Sequence, residues 1–213
     1  MKRFVILAAG DFPVHHKPLK ALQDADVVIL CDGAAKSALE HGVKIDHVVG
    51  DMDSLDEDTG KLLAEKLVHI REQDTNDLQK AFRFTMELAS PDDMITILGV
   101  TGKREDHTIA NISLIADFSE RHRNIGILSD TGTVFAMTEP GTVSSFPGQA
   151  ISIFNPGSGK MFLTSTGLQY PLEKLELSKW WTASLNRALG NEFSLSWSEP
   201  GSVVIFAAYS ESE

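Results

Sequence analysis

The 213-residue chain is poor in cysteine, poor in basic side chains and without a long apolar run, and each shortage removes a class of protein. Its one cysteine, Cys31, excludes an intrachain disulfide and any zinc site built from several thiolates. Against 30 Asp and Glu stand 19 Lys and Arg, a formal net charge of −11. Affinity for a nucleic-acid backbone comes from Lys and Arg, so no nucleic acid partner and no anionic membrane surface is expected. Small charged ligands stay open, because a metal ion can invert the local field. No stretch approaches the roughly 18 apolar residues of a membrane helix. Met1-Lys2-Arg3 followed by Phe4–Ala9 imitates a secretory signal, but its apolar run then meets Gly10 and Asp11, short of the roughly 7–15 residues such a segment needs. It reads as a first β-strand, and the expected compartment is the cytoplasm. With 42% hydrophobic and 23% charged residues the composition is globular, and the length allows one large domain or two small ones.

Up to about residue 130, short apolar runs alternate with amphipathic stretches. Arg3–Ala9, Val27–Cys31, His47–Gly50, Leu67–Ile70, Met94–Leu98 and Ile125–Ser129 read as strands. Near-continuous apolarity of this kind suits a parallel sheet covered on both faces. Helical patterns lie between them at Ala34–His41, Glu57–Lys66, Asp77–Leu88 and His107–Glu120. In the third, Leu78, Ala81, Phe82, Thr85 and Leu88 recur on one face. The expected fold class is α/β: a doubly wound, mostly parallel sheet with helices on both faces, over residues 1–137. After that, Pro-Gly turn signals (Glu139-Pro140-Gly141, Phe146-Pro147-Gly148, Asn155–Gly159, Glu199-Pro200-Gly201) come at short intervals. Between them lie β-rich pieces at Val143–Phe146, Ala150–Phe154, Met161–Thr164, Glu192–Trp197 and Ser202–Tyr209. Residues 138–213 are therefore expected to form an antiparallel β-sandwich or barrel, with Ser210–Glu213 as a frayed tail.

The usual nucleotide motifs fail. Gly99–Arg104 looks like a phosphate-binding loop, but GxxxxGK would need glycine where Ile97 stands and Ser or Thr at Arg104. Ala8–Pro13 is not GxGxxG. Acidic residues stand at strand exits instead. Gly50-Asp51-Met52-Asp53-Ser54 puts two carboxylates at i and i+2, which share a face if the chain stays extended. Two such groups repel unless a hard cation joins them, and Mg²⁺ takes a few carboxylates together with phosphate oxygens. A turn with solvated Asp accounts for the same residues equally well. Glu72–Lys80 leads into the third helix, where Asp74 as N-cap with Asp77 three residues on would make a capping box. Leu98–Thr108 carries two glycines for a tight strand-to-helix loop, with Lys103, Arg104 and Asp106 able to meet phosphates, a metal or a ribose. Cys31-Asp32-Gly33-Ala34-Ala35 is a fourth strand end of this type. Each is weak alone, but four Asp-bearing loops after strands of one parallel sheet converge on one edge, where such folds bind ligands.

With those four loops in place the chain closely resembles the thiamine pyrophosphokinase family, nearly end to end. The resemblance runs through Cys31–Ala35, Gly50–Ser54, Gln73–Asp77, Gly99–His107 and, in the second half, Ser165–Leu172 and Thr182–Phe193. It implies an enzyme that moves pyrophosphate from ATP to the hydroxyl of thiamine and releases AMP. It also implies an α/β domain for ATP and Mg²⁺, a β domain for thiamine binding and dimerisation, and a homodimer with the active site near its interface. Asp51, Asp53 and Asp77 are the implied Mg²⁺ ligands. Arg104 and Asp106 match the nucleotide-contacting pair; Asp32 and Gly33 lie in the nucleotide loop; Gln73 sits near thiamine. Ser54, Gly102 and Lys103 complete the implied binding loops, with Ser184 and Asn186 as thiamine contacts in the second half.

Departures from the family pattern are Asn76 in place of Thr, Lys103 in place of glycine, Tyr170 in place of Trp, and Leu185 inserted between Ser184 and Asn186. The adjacent Trp180 and Trp181 can offer a face to the thiazolium cation, a contact of roughly 0.5–2 kcal/mol, with core packing expected for at least one of them. The implied chemistry is in-line attack of the thiamine hydroxyl on the β-phosphorus, with Lys103 and Arg104 on phosphate oxygens and Asp74 or a metal-bound carboxylate taking the proton. His107 is expected to be structural. Two alternatives stand beside it: a Mg²⁺-dependent pyrophosphotransferase or hydrolase on another nucleotide substrate, and a non-catalytic nucleotide-binding sensor.

Overall fold

The computed structural model describes residues 1–157 and 159–210, so Ser158 of the Asn155–Gly159 turn and the tail at 211–213 lie outside it. The chain forms two compact units, one from Met1–Leu114 and His122–Asp130, the other from Ile115–Arg121 and the chain from Thr131 onward.

In the first unit the strands are β1 (Arg3–Leu7), β2 (Val27–Cys31), β3 (His47–Gly50), β4 (Leu67–His69), β5 (Met94–Leu98) and β6 (Ile125–Leu128). Its helices are α1 (His16–Gln23), α2 (Ala35–Glu40), α3 (Glu57–Leu62), α4 (Asp77–Leu88) and α5 (Glu105–Arg121), the last turns of α5 belonging to the second unit. The strands lie in the order β6-β5-β1-β2-β3-β4 and pair in parallel. Val5, Leu7, Val28, Leu30 and Val48 pack with Leu22 of α1 and with Ala35 and Ala38 of α2 in one core. Their sequence neighbours Phe4, Ile6, Ile29 and Val49 point the other way and are equally buried. Helix α4 packs against β1, β2 and β3, and its buried Leu78, Ala81 and Phe82 take no part in the first core, so helices cover both faces.

The chain steps outward from β1 through β4, then returns to place β5 on the free side of β1. The carboxyl ends of β1 and β5 therefore mark the point where strand order reverses, the place where an open α/β sheet leaves a crevice. No helix among the described residues is long and apolar enough to cross a membrane.

Local departures have local causes. Helix α1 has no counterpart in the periodic pattern: it buries only Pro18 and Leu22, and proline is tolerated there because it falls in the first turn. His15 caps it through Nδ1, which accepts from the Lys17 N–H at 3.2 Å. On α4 the buried face includes Lys80 rather than Leu88, which stays 44% exposed at the helix end.

The second unit holds β7 (Gly132–Met137), β8 (Gly141–Ser144), β9 (Ala150–Phe154), β10 (Phe162–Thr166), β11 (Leu175–Glu176), β12 (Ala183–Arg187), β13 (Glu192–Ser196) and β14 (Val203–Ala208). They form two antiparallel arrays, β12-β9-β14-β7 and β11-β10-β13-β8. Ile151, Ile153 and Ile205 from the first and Leu163, Phe193 and Leu195 from the second meet in one core, which makes the unit a β-sandwich. Strand β7 groups with this unit because it pairs along its whole length with β14.

Candidate active site

Three acidic loops meet at the carboxyl ends of neighbouring strands. Asp32 follows β2, Asp51 follows β3 and Asp77 opens α4; one carboxylate oxygen from each lies within 4.8 Å of the others. Asp32 is buried, with Oδ1 accepting from the Gly33 N–H at 2.6 Å and Oδ2 from the Met52 N–H at 2.9 Å. Burial, reinforced by the charge of Asp77, raises its pKa against those two donors. Gly50 makes the position possible: a Cβ there would lie 2.5 Å from the Asp32 Cγ. The glycine of this loop serves the carboxylate beside it, by leaving room.

Asp51 accepts from the Asp53 N–H at 3.2 Å, from Gln73 Nε2 at 3.0 Å and from Lys80 Nζ at 3.3 Å. The Asp53 N–H is the largest of the effects that hold its carboxyl below the usual range. Lys80 also reaches Asp77 Oδ1 at 3.1 Å, although its side chain is only 2% exposed. Burial pushes the Lys80 ammonium down, and the pairings with Asp77 and then Asp51 outweigh it, leaving a net rise. Lys80 is thus a member of the site that the motifs passed over; its spacing three residues after Asp77, on the same helix face, was the available signal.

Asp53 is exposed and outside this group of three. The extended-chain expectation for Asp51 and Asp53 does not apply, because β3 ends at Gly50 and Met52 adopts φ of 71°. The backbone turns and directs the N–H of Asp53, rather than its carboxylate, at Asp51. Ser54 is exposed in the same turn and lies 3.7 Å from where a Cβ on Gly33 would stand.

Helix α4 is capped by Asn76, not by Asp74. Asn76 Oδ1 accepts from the Gln79 N–H at 2.9 Å and Gln79 Oε1 from the Asn76 N–H at 3.2 Å, a complete capping box with Asp77 as the first helical residue. Asparagine caps as well as the usual threonine, so this departure keeps the helix start. Exposed Asp74 and Gln73 sit in a loop that Glu72 braces, since Glu72 accepts from the Thr75 hydroxyl, the Arg83 guanidinium and the Asp74 N–H. The Thr75 hydroxyl first, and Arg83 next, hold the Glu72 carboxyl down to about 2.

At the point of strand-order reversal lies a cleft of about 410 Å³, lined by Ala8–Gly10, Cys31, Asn76–Leu78, Val100 and the start of α5. Asp77 belongs both to it and to the carboxylate group. Its wall is backbone knit to backbone: Ala8 N–H donates to Leu98 O at 2.8 Å, Gly10 N–H to Gly99 O at 2.7 Å and Asp11 N–H to Thr101 O at 2.8 Å. A Cβ on Gly10 would lie 2.3 Å from Thr101 O. Lys103 has φ of 56° and donates from Nζ to Ala9 O at 2.7 Å, so the loop keeps the left-handed turn that glycine would adopt freely. Gly102 also has positive φ. Arg104 and Asp106 form an exposed ion pair at the α5 start (Nε to Oδ1, 3.1 Å), and that pairing is the main cause lowering the Asp106 carboxyl. His107 donates its backbone N–H to Asp106 Oδ1 at 3.0 Å.

Ser184 and Asn186 lie on β12 in the second unit. Asn186 is 4% exposed and bonded to the Tyr170 backbone in both directions, Nδ2 to O at 2.7 Å and Oδ1 from N–H at 3.1 Å. Ser184 donates to Trp181 O at 2.8 Å. The extra residue between them is absorbed as a β-bulge against β9: Leu185 has φ of 60° and is 84% exposed. Neither tryptophan packs in the core as expected. Trp180 is 50% and Trp181 66% exposed, with Trp180 tilted against Phe154 at 5.7 Å.

Residues 19–128 match the family model for the thiamin pyrophosphokinase catalytic domain, and residues 132–206 the model for the thiamin pyrophosphokinase substrate-binding domain. A rice (Oryza sativa subsp. japonica) protein named thiamine pyrophosphokinase 1 is 31% identical over 150 residues, covering 63% of this chain and 55% of the rice protein, so the match spans little more than half of that relative. Thiamine pyrophosphokinase of Bacillus subtilis (strain 168) is 30% identical over 155 residues, 69% of this chain and 71% of its own. Among solved structures, a thiamin pyrophosphokinase family protein from Enterococcus faecalis aligns with a TM-score of 0.79 at 22% identity, over 98% of this chain and 100% of that one. Thiamin pyrophosphokinase from Candida albicans aligns with the same TM-score at 15% identity, over 97% and 90%. At those identities the structural likeness speaks for the fold.

Proposed function

The chain belongs to the thiamin pyrophosphokinase family, and from that premise we propose that it is a thiamine diphosphokinase, transferring pyrophosphate from ATP to the hydroxyl of thiamine to give thiamine diphosphate and AMP. The observation that carries this reading is the gathering of Asp32, Asp51 and Asp77 beside a cleft at the strand-order reversal. Three hard carboxylate donors within 4.8 Å of one another suit Mg²⁺, and no soft ligand joins them in the described site. Asp51 and Asp77, with Asp32 beneath them and Asp53 one turn away, would hold the ion. When bound, Mg²⁺ supplies neutralisation of the charge on the phosphoryl oxygens.

The chain's own residues do the rest by positioning. The thiamine hydroxyl attacks the β-phosphorus in line, the bond to the bridging oxygen of the α-phosphate breaks, and AMP leaves with that oxygen. Lys103 and Arg104, at the mouth of α5, support the phosphate oxygens; Asp32 and Gly33 border the nucleotide, and Asp106 orients Arg104. The hydroxyl proton passes to the exposed Asp74 carboxylate or to one of the carboxylates that would hold the ion, and the Asp74 loop also offers Gln73 to thiamine. On the β-sandwich Ser184 is the thiamine contact; buried Asn186, whose amide is spent on the Tyr170 backbone, holds that strand in register instead of meeting the substrate, in a cytoplasmic homodimer whose interface lies near the active site.

The test is to incubate the protein with MgCl₂, ATP and thiamine and to quantify AMP and thiamine diphosphate together. Equal amounts of the two, both dependent on thiamine, are expected. AMP formed without thiamine would replace this reading with a hydrolase, and ATP binding without turnover would replace it with a sensor.

A further inference from the structure

Lys80 is the only buried lysine among the described residues. Its Nζ stands 3.1 Å from Asp77 Oδ1 and 3.3 Å from Asp51 Oδ2, while both oxygens of Asp32 are taken by the N–H groups of Gly33 and Met52. Stability does not explain an ammonium there. Desolvating it is costly, and a buried ion pair replaced by apolar residues of similar volume is often as stable or more so. The geometry does explain it: three carboxylates crowd within 4.8 Å of one another, and one fixed positive charge lies among them.

Resting on the reading that this site takes Mg²⁺ with ATP, we propose that Lys80 is a resident counter-cation, a positioning residue that holds Asp51 and Asp77 in place before the metal arrives. Its second effect is to set the order of loading. The ammonium cancels one of three negative charges, so the nucleotide-free site attracts Mg²⁺ too weakly to fill by itself, and the ion enters with the triphosphate. The carboxylates keep their arrangement throughout, because the charge that holds them is part of α4.

The experiment uses the full chain carrying Lys80→Met, with Lys80→Gln and Lys80→Arg beside it. Mg²⁺ binding is measured by titration calorimetry without nucleotide, and melting temperature is measured in EDTA and in MgCl₂. Lys80→Met and Lys80→Gln are expected to bind free Mg²⁺ at least about tenfold more tightly than the unaltered protein, since a like charge has left the site. They should melt lower in EDTA and regain most of the difference in MgCl₂, with kcat reduced and KM for thiamine little changed. Lys80→Arg should keep the weak affinity of the original. Free-Mg²⁺ affinity unchanged or weakened in both neutral variants would overturn the proposal. So would a melting loss of equal size in EDTA and MgCl₂, or variants unfolded in both. Failure of the unaltered protein to make thiamine diphosphate would sink the functional reading separately, as that assay does not involve Lys80 variants.

Discussion

An alanine at position 50 would place its Cβ inside the Asp32 carboxyl, 2.5 Å from Cγ. Because Asp32 is pinned by two N–H groups it has nowhere to move, so Gly50→Ala is expected to cost about 1–3 kcal/mol in urea unfolding, as overpacking does, and to lower turnover with it. Asp51→Asn keeps the shape of the side chain and removes its charge; kcat should fall at least about 100-fold with an unchanged far-ultraviolet dichroism spectrum, and full activity would sink the metal assignment. The Glu72 carboxyl, held down to about 2 from an ordinary 4.5, makes a third test. A depressed folded value means its stabilisation is complete above about 4.5 and is lost as pH falls towards 2. The unfolding midpoint of the unaltered protein should therefore exceed that of Glu72→Gln at pH 6 and approach it as pH is lowered. At this scale the sequence made the acidic residues legible one by one, since Asp32, Asp51 and Asp77 each stand in a recognisable loop. It did not separate Asp53 from Asp32 as the third member. That distinction depends on the φ of Met52 and on burial, neither of which leaves a mark in residue spacing.

Among the elements, those with a buried stripe or a continuous apolar run were readable to within two residues: β2, β3, β5 and α4 begin and end where the pattern does. Helix α1 and strand β12 were not, for opposite reasons. Helix α1 buries too little to show a period, and β12 carries an extra residue that breaks the alternation. The bulge yields a prediction. Between Ala183 and Asn186 there are three steps where β9 has two, so deleting Leu185 should restore simple alternation. The shortened protein is expected to fold with stability within about 1 kcal/mol of the original, because relief of a left-handed conformation under an exposed side chain offsets the loss of one hydrogen bond, from the Leu185 N–H to Ser152 Oγ at 3.0 Å; thermal unfolding checks it. A protein that fails to fold would mean that the bulge sets the register of Asn186 against Tyr170.

At the scale of the whole chain, composition bears on the charge that a ligand meets, and it leaves the seam between the units unmarked. A net charge of −11 repels free ATP, and ATP affinity measured by calorimetry should drop at least tenfold when EDTA replaces MgCl₂. The change of texture near residue 138 was visible, while the compact units divide after Asp130, because the six residues of β7 find their partner some 70 positions later in β14. Long-range pairing of that kind has no signature in local composition. The contact between Gly50 and Asp32 is long-range too, and it has an evolutionary corollary. The two loops that carry them lie 18 positions apart, yet position 50 cannot drift alone: a side chain admitted there needs a smaller partner at 32. Across relatives a residue other than glycine at 50 should occur only in chains that also carry a smaller residue at 32.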